Sequence, residues 1–184
     1  MRLRLLTPLM ALVLALALSA CGNKEKEVHF GATEGAYLDL GGLKYQVQIS
    51  RELNPADPED HGYLIGADQK TVRPDEAWFA VFMRAQNFTG QAHPAAREFE
   101  LSDTQGNKWL PIPLPPQNVF AYRPVTVGAN AVLPLPDSPA GENTIQGSLV
   151  LFKVPFANFA NRPLVLKIVD PTDPAHSAEV DLDV

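Results

Sequence analysis

The sequence holds a single cysteine, Cys21, in 184 residues. One thiol excludes an intramolecular disulfide framework and a cysteine-based zinc site. Bases are also scarce, 15 Lys and Arg against 21 Asp and Glu, for a formal charge of −6. Such a chain lacks the basic face that nucleic-acid binders need to neutralise phosphates, so no nucleic-acid partner is expected. Catalytic signatures are missing too: there is no Gly-x-Ser-x-Gly, His-Glu-x-x-His, Walker loop or Gly-x-Gly-x-x-Gly. His29, His61, His93 and His176 are scattered, and no Ser–His–acid set is gathered locally. The expectation is a protein without catalysis and without a cofactor. Beyond residue 20 no apolar stripe keeps a helical period over three turns, which excludes a helical bundle. What is present is 46% hydrophobic residues with 20% charged, enough to bury a core in one domain.

The N-terminus reads as an address. Met1-Arg2-Leu3-Arg4 is a short basic start, and Leu5 to Ala20 is apolar apart from Thr7, Pro8 and Ser19. A charged start, an apolar run and small residues before a cut describe a secretory signal over residues 1–20. Leu18-Ser19-Ala20-Cys21 resembles the lipobox of bacterial lipoproteins. The resemblance implies that the Cys21 thiol takes a diacylglyceryl group, that cleavage follows before Cys21, and that the new N-terminus is acylated. Two or three chains anchor stably, since each buried methylene contributes about 0.8 kcal/mol and one chain alone is marginal. Cleavage removes two bases and no acids, leaving a formal charge of −8. A surface of that sign does not bind an anionic bilayer by charge, so attachment falls to the lipid. The residue after Cys21 is Gly22 rather than Asp, the pattern of transport to an outer membrane where one exists. The expected location is the extracytoplasmic side of the cell membrane or outer membrane.

Residues 22–34 open with Asn23-Lys24-Glu25-Lys26-Glu27 and read as a polar, flexible tether, with a folded domain over 35–184. From there the dominant period is two. In Lys44 to Ser50, Tyr45, Val47 and Ile49 fall on one face and the polar residues on the other, as in a half-buried strand. Ala77 to Phe88 starts almost wholly apolar, as a central strand covered on both faces does. Glu98 to Ser102 alternates and runs into Asp103-Thr104-Gln105-Gly106-Asn107, a turn from which Lys108-Trp109-Leu110 returns as the partner strand. Ser148–Val154 and Leu164–Val169 read as buried strands, and Glu179–Val184 as an acidic edge strand that discourages further pairing. Prolines at 111, 113, 115, 116, 134, 136 and 139 punctuate the connections. The pattern predicts an all-β, antiparallel β-sandwich of about seven to nine strands.

Three features carry a resemblance. Glu76-Ala77-Trp78-Phe79-Ala80-Val81-Phe82-Met83-Arg84-Ala85-Gln86-Asn87 is an apolar strand ending in Asn. Phe99-Glu100-Leu101-Ser102-Asp103 with Gly106-Asn107-Lys108-Trp109 is a strand, Asp, Gly-turn and aromatic hairpin. Leu149 to Pro155 and Pro163 to Ile168 stand as paired final strands. Together, over about residues 36–170, they resemble a bacterial family of immunoglobulin-like lipoproteins and secreted proteins related to a mycobacterial secreted immunoprotective antigen. The resemblance implies an immunoglobulin-like sandwich and assigns no catalytic residue. The chain departs from the pattern in its Pro-rich stretch 110–124 and at Val127-Gly128-Ala129-Asn130, where a Pro-Gly turn with an acid or Lys is expected.

Two clusters stand out as candidate sites. Trp109, Phe120 and Tyr122 flank the Pro-rich stretch, with Asn118 and Arg123 adding hydrogen-bonding groups. Aromatic faces on such a loop can stack on a sugar or dock a peptide, unless they fold inward and cap the sandwich. Asp57, Glu59, Asp60 and His61, with Asp68 further on, supply oxygen and imidazole groups of the kind that hold Ca²⁺ or a transition metal, although the spacing is not that of an EF-hand. The leading expectation is a lipid-anchored, non-catalytic module that binds an envelope protein or supports an assembly. A glycan or small-ligand module using the aromatic loop, and a metal-dependent role at the acidic loop, stand beside it.

Overall fold

A computed structural model describes residues 29–68 and 71–182. The signal segment, Cys21 and the first part of the predicted tether lie outside the described residues. The fold is a β-sandwich with a third layer laid on one of its sheets.

The first sheet is organised by β4 (Glu76–Gln86), which pairs antiparallel with β3 (Leu43–Leu53) on one side and β10 (Ser148–Pro155) on the other. β2 (Leu38–Leu40) continues the sheet beyond β3, and β9 (Val132–Leu133) takes up the free end of β4 beside β10. The second sheet has the order β1 (His29–Thr33), β12 (Ser177–Leu182), β11 (Leu164–Val169), β6 (Phe99–Ser102) and β7 (Lys108–Trp109). A small ribbon of β5 (His93–Pro94) and β8 (Thr126–Val127) completes the strands.

β4 and β10 are apolar in both phases because both of their faces are covered. Ala77, Phe79, Val81, Met83 and Ala85 pack with Val150, Phe152 and Val154 against Leu101, Leu166, Ile168 and Val180 of the second sheet, forming the main core. The opposite phase, Trp78, Ala80, Phe82, Leu149 and Leu151, forms a second core under Tyr63, Leu64, Leu114 and Ala121. The expected doubly covered central strand is therefore present. Its outer cover is the short helix α1 (Pro58–Tyr63) together with the Pro-rich stretch. The one-turn helix α2 (Pro139–Glu142) is too short to form a stripe of its own, and the 3₁₀ turn Phe156–Ala160 sends Phe159 edge-on against Phe79 at 5.5 Å.

Several expectations are corrected. Twelve strands are described instead of seven to nine, because the connections form two- and three-residue strands at the sheet margins. The tether does not run to residue 34: His29–Thr33 is a strand, parallel to β12, and Ala32 packs on the main core. β12 is consequently not an edge, since β1 covers it. Ile49 leaves the face of Tyr45 and Val47 because Gln48 is an extra residue in the pairing with β4, which turns Ile49 outward and buries Ser50. In the loop after β10, Phe159 is buried while Phe156 is exposed.

Asp103 holds that loop. Its Oδ1 accepts from the backbone N–H groups of Gln105 and Asn107, and its Oδ2 from the side-chain amides of Asn107, Asn158 and Asn161, at 2.8–3.0 Å. Burial works to raise the carboxyl, but the donated hydrogen bonds from the three Asn side chains and the Asn107 backbone outweigh it and hold the group well below the usual carboxylate range. A depressed folded value stabilises fully above the unfolded value of about 3.9 and is lost as pH falls through the folded one. Asp103→Ala is expected to cost roughly 2–3 kcal/mol at neutral pH. In an acid series the deficit shrinks below pH about 4. An unchanged melting temperature at neutral pH contradicts this role.

Candidate functional site

The site follows from where the β6–β7 hairpin stops. Leu101 pairs with Trp109 and the N–H of Asp103 donates to Asn107 O, so the register places residue 111 opposite Phe99 and residue 113 opposite Arg97. Both positions are proline, without an N–H to give. The partner strand ends at Trp109 and the chain peels away. On its other side β6 pairs with β11 through Glu98, Glu100 and Ser102, as the bond from Val169 N–H to Glu98 O shows. The N–H and C=O of Phe99 thus point to the vacated side, where they meet no hydrogen-bond partner among the described residues.

The peeled segment crosses to the first sheet and seals the edge of β10. Ile112 N–H donates to Leu151 O at 2.7 Å, Tyr122 N–H to Leu149 O at 2.8 Å, and Leu149 N–H to Phe120 O at 2.7 Å. Asn118, 2% exposed, pins its middle: the side-chain amide donates to Tyr63 O and Ile65 O at 2.7 and 3.0 Å, and its oxygen accepts from Phe120 N–H. Arg123 donates to the carbonyls of Leu114 and Pro115 and locks the segment's two limbs together.

Between this strap and the free edge of β6 lies a cleft of about 830 Å³. Arg97 to Glu100 line one side, Leu110, Tyr122 and Arg123 the other, and Lys167 and Val169 of β11 also line it. Its wall is fixed by two tyrosines on Ala96: Tyr45 Oη accepts the Ala96 N–H at 2.7 Å, and Tyr122 Oη donates to Ala96 O at 3.1 Å. Burial pushes the Tyr45 hydroxyl up to about 12, and burial together with Tyr45 raises that of Tyr122, so both stay protonated at physiological pH. Glu100 is paired with Lys108 at 2.7 Å, whereas Arg97 and Lys167 make no ion pair among the described residues. Leu110 is 70% exposed at the mouth.

The predicted aromatic platform is not assembled. Trp109 packs on the main core, and Phe120 turns its ring edge-on to Tyr63 at 4.9 Å over the second core. Tyr122 meets Phe99 edge-on at 5.1 Å. Asn118 is spent on the strap. Of the five predicted residues only Tyr122 and Arg123 line the cleft. The acidic loop is likewise spent on the fold. Asp57 caps α1 by accepting from Glu59 and Asp60 N–H, and buried Asp60 holds Arg51 and the N–H of Asn54. Glu59 takes the Tyr63 hydroxyl at 3.4 Å, and His61 is exposed. Among the described residues no three His, Cys, Asp or Glu side chains converge to hold a metal. Cys21 lies outside the described residues. Arg97, Phe99, Lys167, Pro111 and Pro113 were not singled out from sequence, although counting the hairpin register back from Asp103–Asn107 sets both prolines opposite the β6 edge.

No family model and no curated protein matches the sequence. Solved structures align at low identity. The yjhA protein of Bacillus subtilis is 11% identical, with 83% of this chain and 100% of that one covered at a TM-score of 0.49. A β-sandwich protein of Clostridium difficile is 7% identical, with 88% and 97% covered at 0.46. The Bacillus subtilis ycdA protein, described as a candidate lipoprotein, is 11% identical, with 82% of this chain and 39% of that one covered at 0.47. No helix among the described residues is long and apolar enough to cross a membrane.

Restoring donors to the peeled segment should close the cleft. Pro111→Val with Pro113→Val offers N–H groups opposite Phe99 and Arg97. Once the residue 111 N–H donates to Phe99 O and holds the strands together, residue 111 O accepts the Phe99 N–H. The Phe99 amide is then expected to exchange about fivefold more slowly, the equivalent of one hydrogen bond of roughly 1 kcal/mol. Unchanged exchange at Phe99 contradicts the account of why the hairpin stops.

Proposed function

We propose that the protein is a lipid-anchored module on the extracytoplasmic face of the envelope, without catalysis, that binds an extended segment of another envelope protein in the cleft between β6 and the strap. One observation carries the binding site: a buried sheet edge leaves the Phe99 N–H and C=O without a partner among the described residues, beside an open cleft. An unpaired edge is a template for an added strand, in which main-chain hydrogen bonds give affinity and flanking pockets give selectivity. Arg97 and Lys167 make no ion pair among the described residues; Lys167 stands opposite Glu100 and Glu179, so Arg97 is the cation that favours a segment carrying an acidic side chain. The absence of chemistry is supported by the use of the acidic loop and of Asn118 as fold-forming groups. The anchor is supported by Leu18-Ser19-Ala20-Cys21, and the placement in a family of envelope sandwiches by the resemblance of the strands over residues 36–170. A glycan platform loses its support, because the rings of Phe120 and Trp109 are turned inward.

The test is photocrosslinking in living cells. A photoreactive residue in place of Leu110, in the cleft mouth, is expected to capture one recurrent protein. The same residue in place of Lys44, on the β2–β3 hairpin, is expected to capture none. Cys21→Ser, run in parallel, releases the protein from membranes. Equal capture at both positions, or none at Leu110, sinks the binding site, and retention of the Cys21→Ser protein on membranes sinks the anchor.

A further inference from the structure

The end of the sandwich at which the chain enters carries a surface of unusual composition. Residues 87–96 and 124–136 contain no Asp, Glu, Lys or Arg, in a protein that is 20% charged. These two stretches are joined at one apex. β5 pairs with β8, and Ala95 N–H donates to Val125 O at 2.8 Å. Asn87, 1% exposed, binds them together: its side-chain amide donates to Gln91 O, Val127 O and Gly128 O, its oxygen accepts from the Thr89 N–H and hydroxyl, and its own N–H donates to Ala131 O. The result is a loop fixed by hydrogen bonds that holds Phe88 out at 56% exposure, with Val125 at 47% on the adjoining stretch. A loop pinned by a buried amide presents its aromatic ring in one position, and burial of that ring is not what the pinning achieves.

The topology places this apex beside the anchor. β1 begins at His29 opposite Ala178, the start of β12, and runs parallel to it away from that end. The residues before β12 reach the β2–β3 turn, where a Cβ on Gly41 would lie 3.0 Å from Asp170 Oδ1. The next residue of that turn, Gly42, has the His93 ring packed over it, and the His93 ring also meets the Thr89 hydroxyl at 3.0 Å. Chain entrance, β2–β3 turn and uncharged apex therefore form one end. Eight residue steps separate Cys21 from His29, a reach of at most about 28 Å. The eleven residues of β4 extend about 36 Å.

We infer that the uncharged apex is the membrane-facing foot of the protein, with Phe88 and Val125 seated in the interfacial zone of the bilayer that holds the Cys21 anchor. The inference rests on the lipid anchor of the proposed function. Acidic groups are repelled by an anionic leaflet, and residues 87–96 and 124–136 carry none in a chain of net charge −8 after cleavage. Of the exposed acids near the β2–β3 turn, Asp39 is paired with Lys44 and Asp173 is bonded to His176. An aromatic ring on a fixed loop suits the boundary between headgroups and acyl chains. One ring and one valine bind weakly alone, but a leash this short makes their contact with the bilayer intramolecular, so weak affinity suffices. The foot sets the domain upright and turns the side cleft toward partners standing on the same membrane.

The test uses the full lipidated chain in vesicles of phosphatidylethanolamine and phosphatidylglycerol. The acylated Cys21 leaves no other thiol, so Phe88→Cys, Val125→Cys and, on the hairpin at the opposite end, Gln105→Cys each accept a single environment-sensitive fluorophore. Protein that floats with vesicles and shows blue-shifted emission, quenched by nitroxide lipids, at positions 88 and 125 but not 105 supports the foot. Protein that floats with no shift at 88 and 125, or with the same shift at all three, overturns the foot and leaves the anchor standing. Protein that neither floats nor carries acyl mass overturns the anchor, and the foot with it.

Discussion

The structure depends on the three backbone hydrogen bonds that the Pro-rich strap makes to the edge of β10, and on the Asn118 amide that fixes them. β10 is apolar in both phases, and an edge strand of that kind is an open template for aggregation. The strap removes the hazard. The same segment lays Leu114 and Ala121 over Trp78, Phe82 and Leu151 and so makes the second core possible. Prolines suit the task because the strap needs few N–H donors: Ile112 and Tyr122 supply the bonds to β10, while Pro111, Pro113, Pro115 and Pro116 have none to leave unsatisfied. The cleft is the other side of the same event, since a chain that leaves β6 to reach β10 leaves a gap behind it.

Much of the sandwich was legible as a sequence. The apolar run of β4, the Asp103–Asn107 hairpin and the existence of strands β10 and β11 follow from a period of two with turn residues between. The expected pairing of β10 with β11 does not form: β10 lies beside β4 and β11 between β6 and β12, because a local pattern does not assign a strand to its sheet. What the period misses are effects of one residue or of a distant partner. Gln48 inserts a bulge that no local pattern announces. His29–Thr33 carries too little hydrophobic signal to read as a strand, and forms one because β12 offers it an edge. Trp109, Phe120 and Tyr122 look free on a loop until the second sheet and α1 supply faces for them.

The polar residues tell a similar story. Asp57, Asp60, Asn87, Asp103 and Asn118 are the sort of side chains that suggest ligand binding, and each is spent satisfying backbone or amide groups of a connection. A sandwich with long proline-rich connections has many N–H and C=O groups outside its ladders, and buried ones need partners. Sequence shows the residue types but not the carbonyls they meet. What is left without a partner among the described residues is therefore informative: the Phe99 N–H and C=O, and the Arg97 cation beside them.

The most direct test of the strap is residue-resolved hydrogen exchange on Asn118→Ala. If the strap is one unit held by Asn118, the amides of Ile112, Tyr122 and Leu149 lose protection together, while those of Leu166 and Val180 in the second sheet keep theirs. Retained protection at Ile112 and Tyr122, or an equal loss across both sheets, would contradict it.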